Sequence, residues 1–180
     1  MACDFSDYKL AKDWQGSEHI PAKPGIYAVF LKTTDHVPEE NTAPVPEDWR
    51  DDLKRPDHLL YIGRSADVKN GLKGRLEMHF FKNSSTADTF RRSLGLILKF
   101  RPVKAGKSRW RFCDTSEQTL TEWIQKNCQY IFCEADPDDA ASDEIRLIVK
   151  HTPPLNINCN PEKNKRLIQA RKDAKASLCT

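Results

Sequence analysis

A phenol, a guanidinium and an imidazole fall within one short stretch, L-L-Y-I-G-R-S-A-D-V-K-N-G-L-K-G-R-L-E-M-H-F, residues 59–80. Its apolar start, Leu59 to Ile62, predicts a short strand ending at Gly63. After a polar turn the spacing predicts an amphipathic helix on which Arg75 and His79 lie one turn apart on a single face. The strand delivers Tyr61 toward that face, and Gly63 removes a Cβ where backbone or substrate could approach closely. Such a trio can grip an anion and carry a proton. A core tyrosine followed by a surface helix is the plain alternative from this stretch alone.

The charge pattern narrows the choice. A formal net charge of +3 hides segregation: 13 basic against 3 acidic residues lie between Arg64 and Arg111, followed by 9 acidic against 1 basic from Phe112 to Glu144. A basic block of that density attracts phosphate backbones. Arg64, Lys73, Arg91, Arg92, Lys107 and Arg109 are its candidate nucleic-acid contacts, although Arg91 and Arg92 on an outward helix face could equally be solvated.

Several elements must hold these groups in place. G-I-Y-A-V-F-L from Gly25 reads as a buried strand with Tyr27 near its start. Residues 33–58, rich in Pro, Asp and Glu, read as a long loop insertion with at most one helical turn near Glu47 to Leu53. Two strands joined by one connection most simply pair antiparallel. Ser84, Ser85 and Thr86 offer caps for a second helix through Phe90, Leu94 and Ile97, and a basic loop follows at Arg101 to Arg109. Thr115 or Ser116 caps a third helix, and Q-Y-I-F-C-E forms a third strand. Asp136 and Pro137 start a helix that Pro153 and Pro154 stop. On it Glu144 shares a face with Leu147, Ile148 and His151, so its carboxylate either meets a cation or metal or sits at the rim. Asn160 and Pro161 open a basic C-terminal helix or tail over 160–180, read either as solvated or as an accessory phosphate contact.

With 180 residues, 38% hydrophobic and 31% charged, the chain suits one domain with a core of about 21–158. The first twenty residues read as a short packing segment. No apolar run approaches a membrane span and the N-terminus lacks a signal-peptide pattern, so a cytoplasmic protein is expected. The six cysteines form no CxxC pair. Reduced thiols are therefore expected, and a zinc site from Cys113, Cys128, Cys133 and Cys159 has irregular spacing.

Taken in order, G-I-Y at Gly25 to Tyr27, Y-I-G at Tyr61 to Gly63, G-R-L-E-M-H at Gly74 to His79, the helix bearing Glu144, and P-P-L-N ending at Asn156 resemble the GIY-YIG nuclease family. The departure is the interval from 28 to 60, longer than the hairpin connection usual in that family. The resemblance implies an α/β layered fold with a small central three-stranded antiparallel sheet flanked by helices, a Mg²⁺ (or Mn²⁺) ion, and DNA as substrate, branched and single-stranded forms included. By the same resemblance Tyr61 matches the catalytic tyrosine, Tyr27 the supporting one, and Arg75 the phosphate-binding arginine. His79 matches the histidine of that helix, Glu144 the metal-binding glutamate, and Asn156 a late supporting asparagine.

Phosphodiester hydrolysis needs an activated water, charge neutralisation on the phosphorane oxygens and relief of the leaving oxygen. Tyrosine is an uncommon base, because its ordinary pKa of ~10 leaves little phenolate at neutral pH. A neighbourhood of Arg75, Arg64, Lys73 and Mg²⁺ is expected to lower it. Plainer roles stay open: packing for Tyr27, a cap or carbonyl contact for His79, a turn for Asn156, core for Trp110. A catalytically inactive nucleic-acid-binding or complex-forming module on the same scaffold is the alternative to a metal-dependent DNA endonuclease, and a homodimer is compatible with either.

Overall fold

Seven consecutive residues without a charge, Gly25 to Leu31, are all buried, which places that strand between two covered faces. The computed structural model describes residues 5, 11–32, 45–53, 55, 57–106 and 109–178. Their elements run β1 (Lys12–Asp13), β2 (Gly25–Leu31), α1 (Glu47–Leu53), β3 (Leu59–Ser65), α2 (Gly71–Phe80), α3 (Thr89–Ile97), β4 (Pro102–Lys104), β5 (Trp110–Phe112), α4 (Asp114–Asn127), β6 (Cys128–Glu134), α5 (Pro137–His151) and α6 (Lys165–Ala176). The main sheet is antiparallel in the order β1-β6-β2-β3. It has four strands rather than three, because Lys12 and Asp13 pair with Tyr130 and Gln129 in a segment whose spacing suggested only packing.

The two faces of β2 serve different cores. Ile26, Ala28 and Phe30 pack with Leu59, Ile62 and the α5 residues Ala140, Leu147 and Ile148. Tyr27, Val29 and Leu31 face the larger cluster built with α2, α3 and α4. A register shift opposite Val29 and Phe30 leaves Leu60 without a strand partner. Leu60 and Tyr61 consequently face the same side, and Tyr61 joins Tyr27 instead of α5. Strict alternation would have sent it to the opposite face.

The free edge of β3 is closed by the P-P-L-N segment. Leu155 N donates to Leu60 O at 3.1 Å, and the Asn156 side chain both accepts from Ile62 N (2.9 Å) and donates to Ile62 O (2.8 Å). A side-chain amide thus stands where a neighbouring strand's peptide would.

Other expectations need correction. Arg91 does not face outward: it is fully buried, donating to Glu117 Oε2 at 2.8 Å, to His79 O and to Thr121 Oγ1. Glu117 also accepts from Ser85 and from Phe112 N, joining α3, α4, β5 and the loop before α3. The cap of α3 is Asp88, not Ser84, Ser85 or Thr86, and that of α4 is Cys113. The basic loop contains a small hairpin, β4 with β5. The acidic insertion includes a seven-residue helix rather than a single turn, while residues 33–44, 54 and 56 lie outside the described ones. Helix α6 starts after Asn164, not Asn160, and docks against α3 through Leu167 and Ala174. Cys133 is disulfide-bonded, so the thiols are not all reduced; Cys113, Cys128 and Cys159 are free. Among the described residues no cluster of His, Cys, Asp or Glu could hold a metal by itself, and no helix is long and apolar enough to cross a membrane.

Because Glu117 supplies a buried charge to Arg91 and three further hydrogen bonds, Glu117→Ala leaves a guanidinium unpaired in the core. The expected loss is about 3–5 kcal/mol of unfolding free energy, read from urea or guanidinium denaturation.

Candidate active site

Tyr27, on the central strand, needs space across the neighbouring chain, and Gly63 provides it. The two are cross-strand partners, and a Cβ at Gly63 would stand 2.2 Å from the Tyr27 hydroxyl. Opened in this way, the phenol reaches the His79 ring, with 2.5 Å between Tyr27 Oη and His79 Nε2. On the ring's far side His79 Nδ1 lies 2.6 Å from Asp88 Oδ2. Arg75 Nε donates to Tyr27 Oη at 3.2 Å.

The protonation states follow from these contacts. Burial holds the His79 ring below its ordinary value, against the pull of Asp88. Burial alone would raise the Asp88 carboxyl, but His79, Arg75 and the backbone N–H of Arg91 overcome it and keep the carboxylate ionised. The neutral ring then donates from Nδ1 to Asp88 and accepts at Nε2 from the Tyr27 hydroxyl. Burial raises the Tyr27 phenol far above its usual range despite Arg75, so it remains a donor to the ring. Arg75 stays charged, with Tyr27 and Asp88 opposing its burial, and its side chain also bonds toward the Tyr61 phenol.

Tyr61 packs beside this chain, 6.3 Å from Tyr27, 6.0 Å from His79 and 5.5 Å from Phe90 between ring centroids. With Arg64, Thr89, Glu144, Ile148 and Asn156 it lines a cavity of about 310 Å³ at the edge of the sheet. Glu144 enters from α5 on the opposite face, meeting Arg64 Nε at 3.0 Å. Burial raises the Glu144 carboxyl, and Arg64 and Arg75 oppose the rise. Arg64 also lines an adjoining hollow with Arg75, Gly74 and Lys82. The expected lowering of the Tyr61 phenol does not occur: burial pushes it up to about 12, Arg75 pulls it down, and the charges of Asp88 and Glu144 add to the rise.

Tyr27, Tyr61, Arg75, His79, Glu144 and Arg64 therefore converge, with Asn156 fixing the backbone one residue beyond Tyr61. Arg91 belongs to the core. Arg92 is tied to the carbonyls of Ser85 and Thr86 and lies over the Trp110 ring at 5.1 Å. Lys73 is half-buried on α2 and lines neither hollow, Arg109 is exposed at the hairpin, and Lys107 lies outside the described residues. The sequence reading missed Asp88. An aspartate directly ahead of T-F-R-R-S-L is itself a cap signature, but three hydroxyl residues just upstream compete for it.

A ring that stays neutral when folded makes stability depend on pH with a definite sign. The unfolded chain binds a proton at His79 near the ordinary value of 6.5, the folded chain only at lower pH. This contribution is therefore present above 6.5 and is lost as pH falls below it through the folded value. Urea midpoints should drop from pH 7.5 to 5.5 in the wild type, and drop less in His79→Gln.

The model of the GIY-YIG catalytic domain matches residues 25–175, which takes in both tyrosine strands, α2, α5 and nearly all of α6. No curated protein and no solved structure matches the chain. A match over most of the chain, spanning the tyrosines, the arginine and the glutamate that meet at the sheet edge, establishes that this protein belongs to the GIY-YIG nuclease family.

Proposed function

We propose that the protein is a metal-dependent DNA endonuclease that hydrolyses phosphodiester bonds at the cavity between Tyr61 and Glu144. The observation that carries this reading is the meeting of a phenol, a carboxylate and two arginines, drawn from both faces of one sheet, at two adjoining hollows that share Arg64, the one between Tyr61 and Glu144 large enough for a phosphate. Arg75 presents a guanidinium fork that clamps non-bridging oxygens of the phosphodiester. Its position is fixed from behind by Tyr27, which His79 and Asp88 orient in turn. Tyr61, beside Arg75 and nearly closed to solvent, takes the proton of the attacking water. Asn156 holds the strand that carries Tyr61.

Among the described residues Glu144 is the single carboxylate lining the cavity, and a cation there, like Arg64, offsets the burial that raises its carboxyl. One carboxylate with no clustered His, Cys or further acid suits Mg²⁺ or Mn²⁺, which keep water ligands and take the rest from substrate phosphate. Bound there, such an ion would supply positive charge to the leaving oxygen and toward the Tyr61 phenol, offsetting the burial and the carboxylates that raise it.

Nicking of supercoiled plasmid with Mg²⁺ or Mn²⁺, against an EDTA control, tests the reading. Tyr61→Phe should lower the rate about 10²–10⁴-fold and Arg75→Ala about 10²–10³-fold, with Glu144→Ala losing metal-dependent turnover. The wild-type rate should rise with pH from 7 to 9, because the phenol is the group that must lose its proton and lies above that range without the ion. Binding without nicking in the wild type would identify an inactive nucleic-acid-binding module, and nicking by both Tyr61→Phe and Glu144→Ala at the wild-type rate would remove these residues from the chemistry.

A further inference from the structure

Helix α3 leaves the active-site cavity at Thr89 and runs toward the β4–β5 hairpin, and three arginines follow its half-buried outer side. Arg171, on α6, bonds across to it: Nη1 lies 3.1 Å from Ser93 Oγ and 3.4 Å from Thr89 O. Thr89 itself lines the cavity with Tyr61 and Glu144. Arg92 comes next along the helix, its guanidinium over Trp110, and Arg109 immediately precedes that tryptophan. Some neighbouring cations are neutralised: Lys99 pairs with Asp48, Arg111 with Asp114, and Arg166 with Asp48 and Asp52. Among the described residues Arg171, Arg92 and Arg109 have no carboxylate within ion-pair distance.

Their charges also oppose one another. After burial, Arg92 is the main influence destabilising the Arg171 cation; on Arg92 burial and Arg109 act in the same sense, opposed by the more distant carboxylates of Asp88 and Glu117. Arg171 is close enough to Tyr61 for the two to interact electrostatically. Like charges held side by side by hydrogen bonds to a helix and an indole face cannot separate to relieve the repulsion, and a polyanion would relieve it. In the other direction along α5 the surface turns acidic, with Glu134, Asp136, Asp139 and Asp143 lining a hollow.

We propose that Arg171, Arg92 and Arg109 form a phosphate track along α3 that carries a DNA strand out of the cleavage cavity toward the hairpin. The proposal deepens the endonuclease reading and rests on it for the substrate. It assigns the C-terminal helix a part in binding DNA through a residue that sequence spacing did not single out.

The test is the salt dependence of affinity for a fluorescent DNA duplex in EDTA, measured by anisotropy on the full chain. Arg171→Gln and Arg109→Gln should each reduce the slope of log affinity against log salt by about 0.9, and the double variant by about twice that. Lys150→Gln, on exposed α5, should leave the slope unchanged. Thermal melts of all variants exclude misfolding as the cause, and Arg109, exposed and without side-chain bonds among the described residues, keeps the test meaningful if Arg171→Gln melts early. Wild-type slopes in both arginine variants, or an equal loss in Lys150→Gln, overturn the track while plasmid nicking still stands. Reduced slopes in a protein that binds but never nicks support the track and remove the endonuclease reading. A wild type that binds no DNA removes both.

Discussion

One unpaired residue in an edge strand decides which side of the sheet the chemistry falls on. With side chains alternating at a period of two, a single-residue shift exchanges the faces of everything on one side of it. At Leu60 the shift turns Tyr61 toward Tyr27, His79 and Arg75, while Ile62 and Arg64 remain on the α5 side. The same strand can therefore present a phenol to one layer and a guanidinium to the other. Glu144 meets that guanidinium, and the two layers share a cavity because β3 lies at the edge, where no further strand separates them.

Behind the cavity two buried polar systems lie end to end. In one, Asp88, His79, Tyr27 and Arg75 are linked so that each donor faces a defined acceptor. In the other, Glu117 anchors Arg91, Ser85 and the backbone of Phe112. They touch twice, through Arg91 Nη1 on His79 O and through the backbone of Arg91 on Asp88. Buried carboxylates and guanidiniums are costly to desolvate, and a nearly complete set of partners is what makes them tolerable in a core. Their mutual orientation is then narrow, which is the property a phosphate clamp requires.

Much of this was legible in the sequence. The strands of Tyr27 and Tyr61 and the start of α5 at Pro137 follow from uncharged β-branched runs and a proline at a helix's first turn. Arg75 and His79 share a face because four residues make about one helical turn. What could not be read depended on tertiary context. Arg91 and Arg92 are adjacent and chemically identical, yet one is buried by Glu117 and the other lies over Trp110, and neither Glu117 nor Trp110 is near in sequence. The fourth strand is two residues long and carries no apolar alternation. The upward shift of the Tyr61 phenol reflects burial among rings brought from three elements, which a count of nearby basic residues does not contain.

Asn156 carries a consequence for assembly. Exposed sheet edges invite pairing with a second copy, because their peptide groups are a template for another strand. Here the peptide of Ile62 and the carbonyl of Leu60 are already occupied by the Asn156 amide and Leu155 N. Continuous sheets running from one molecule into the next are therefore disfavoured along β3, and the same asparagine that steadies the Tyr61 strand also guards that edge against aggregation.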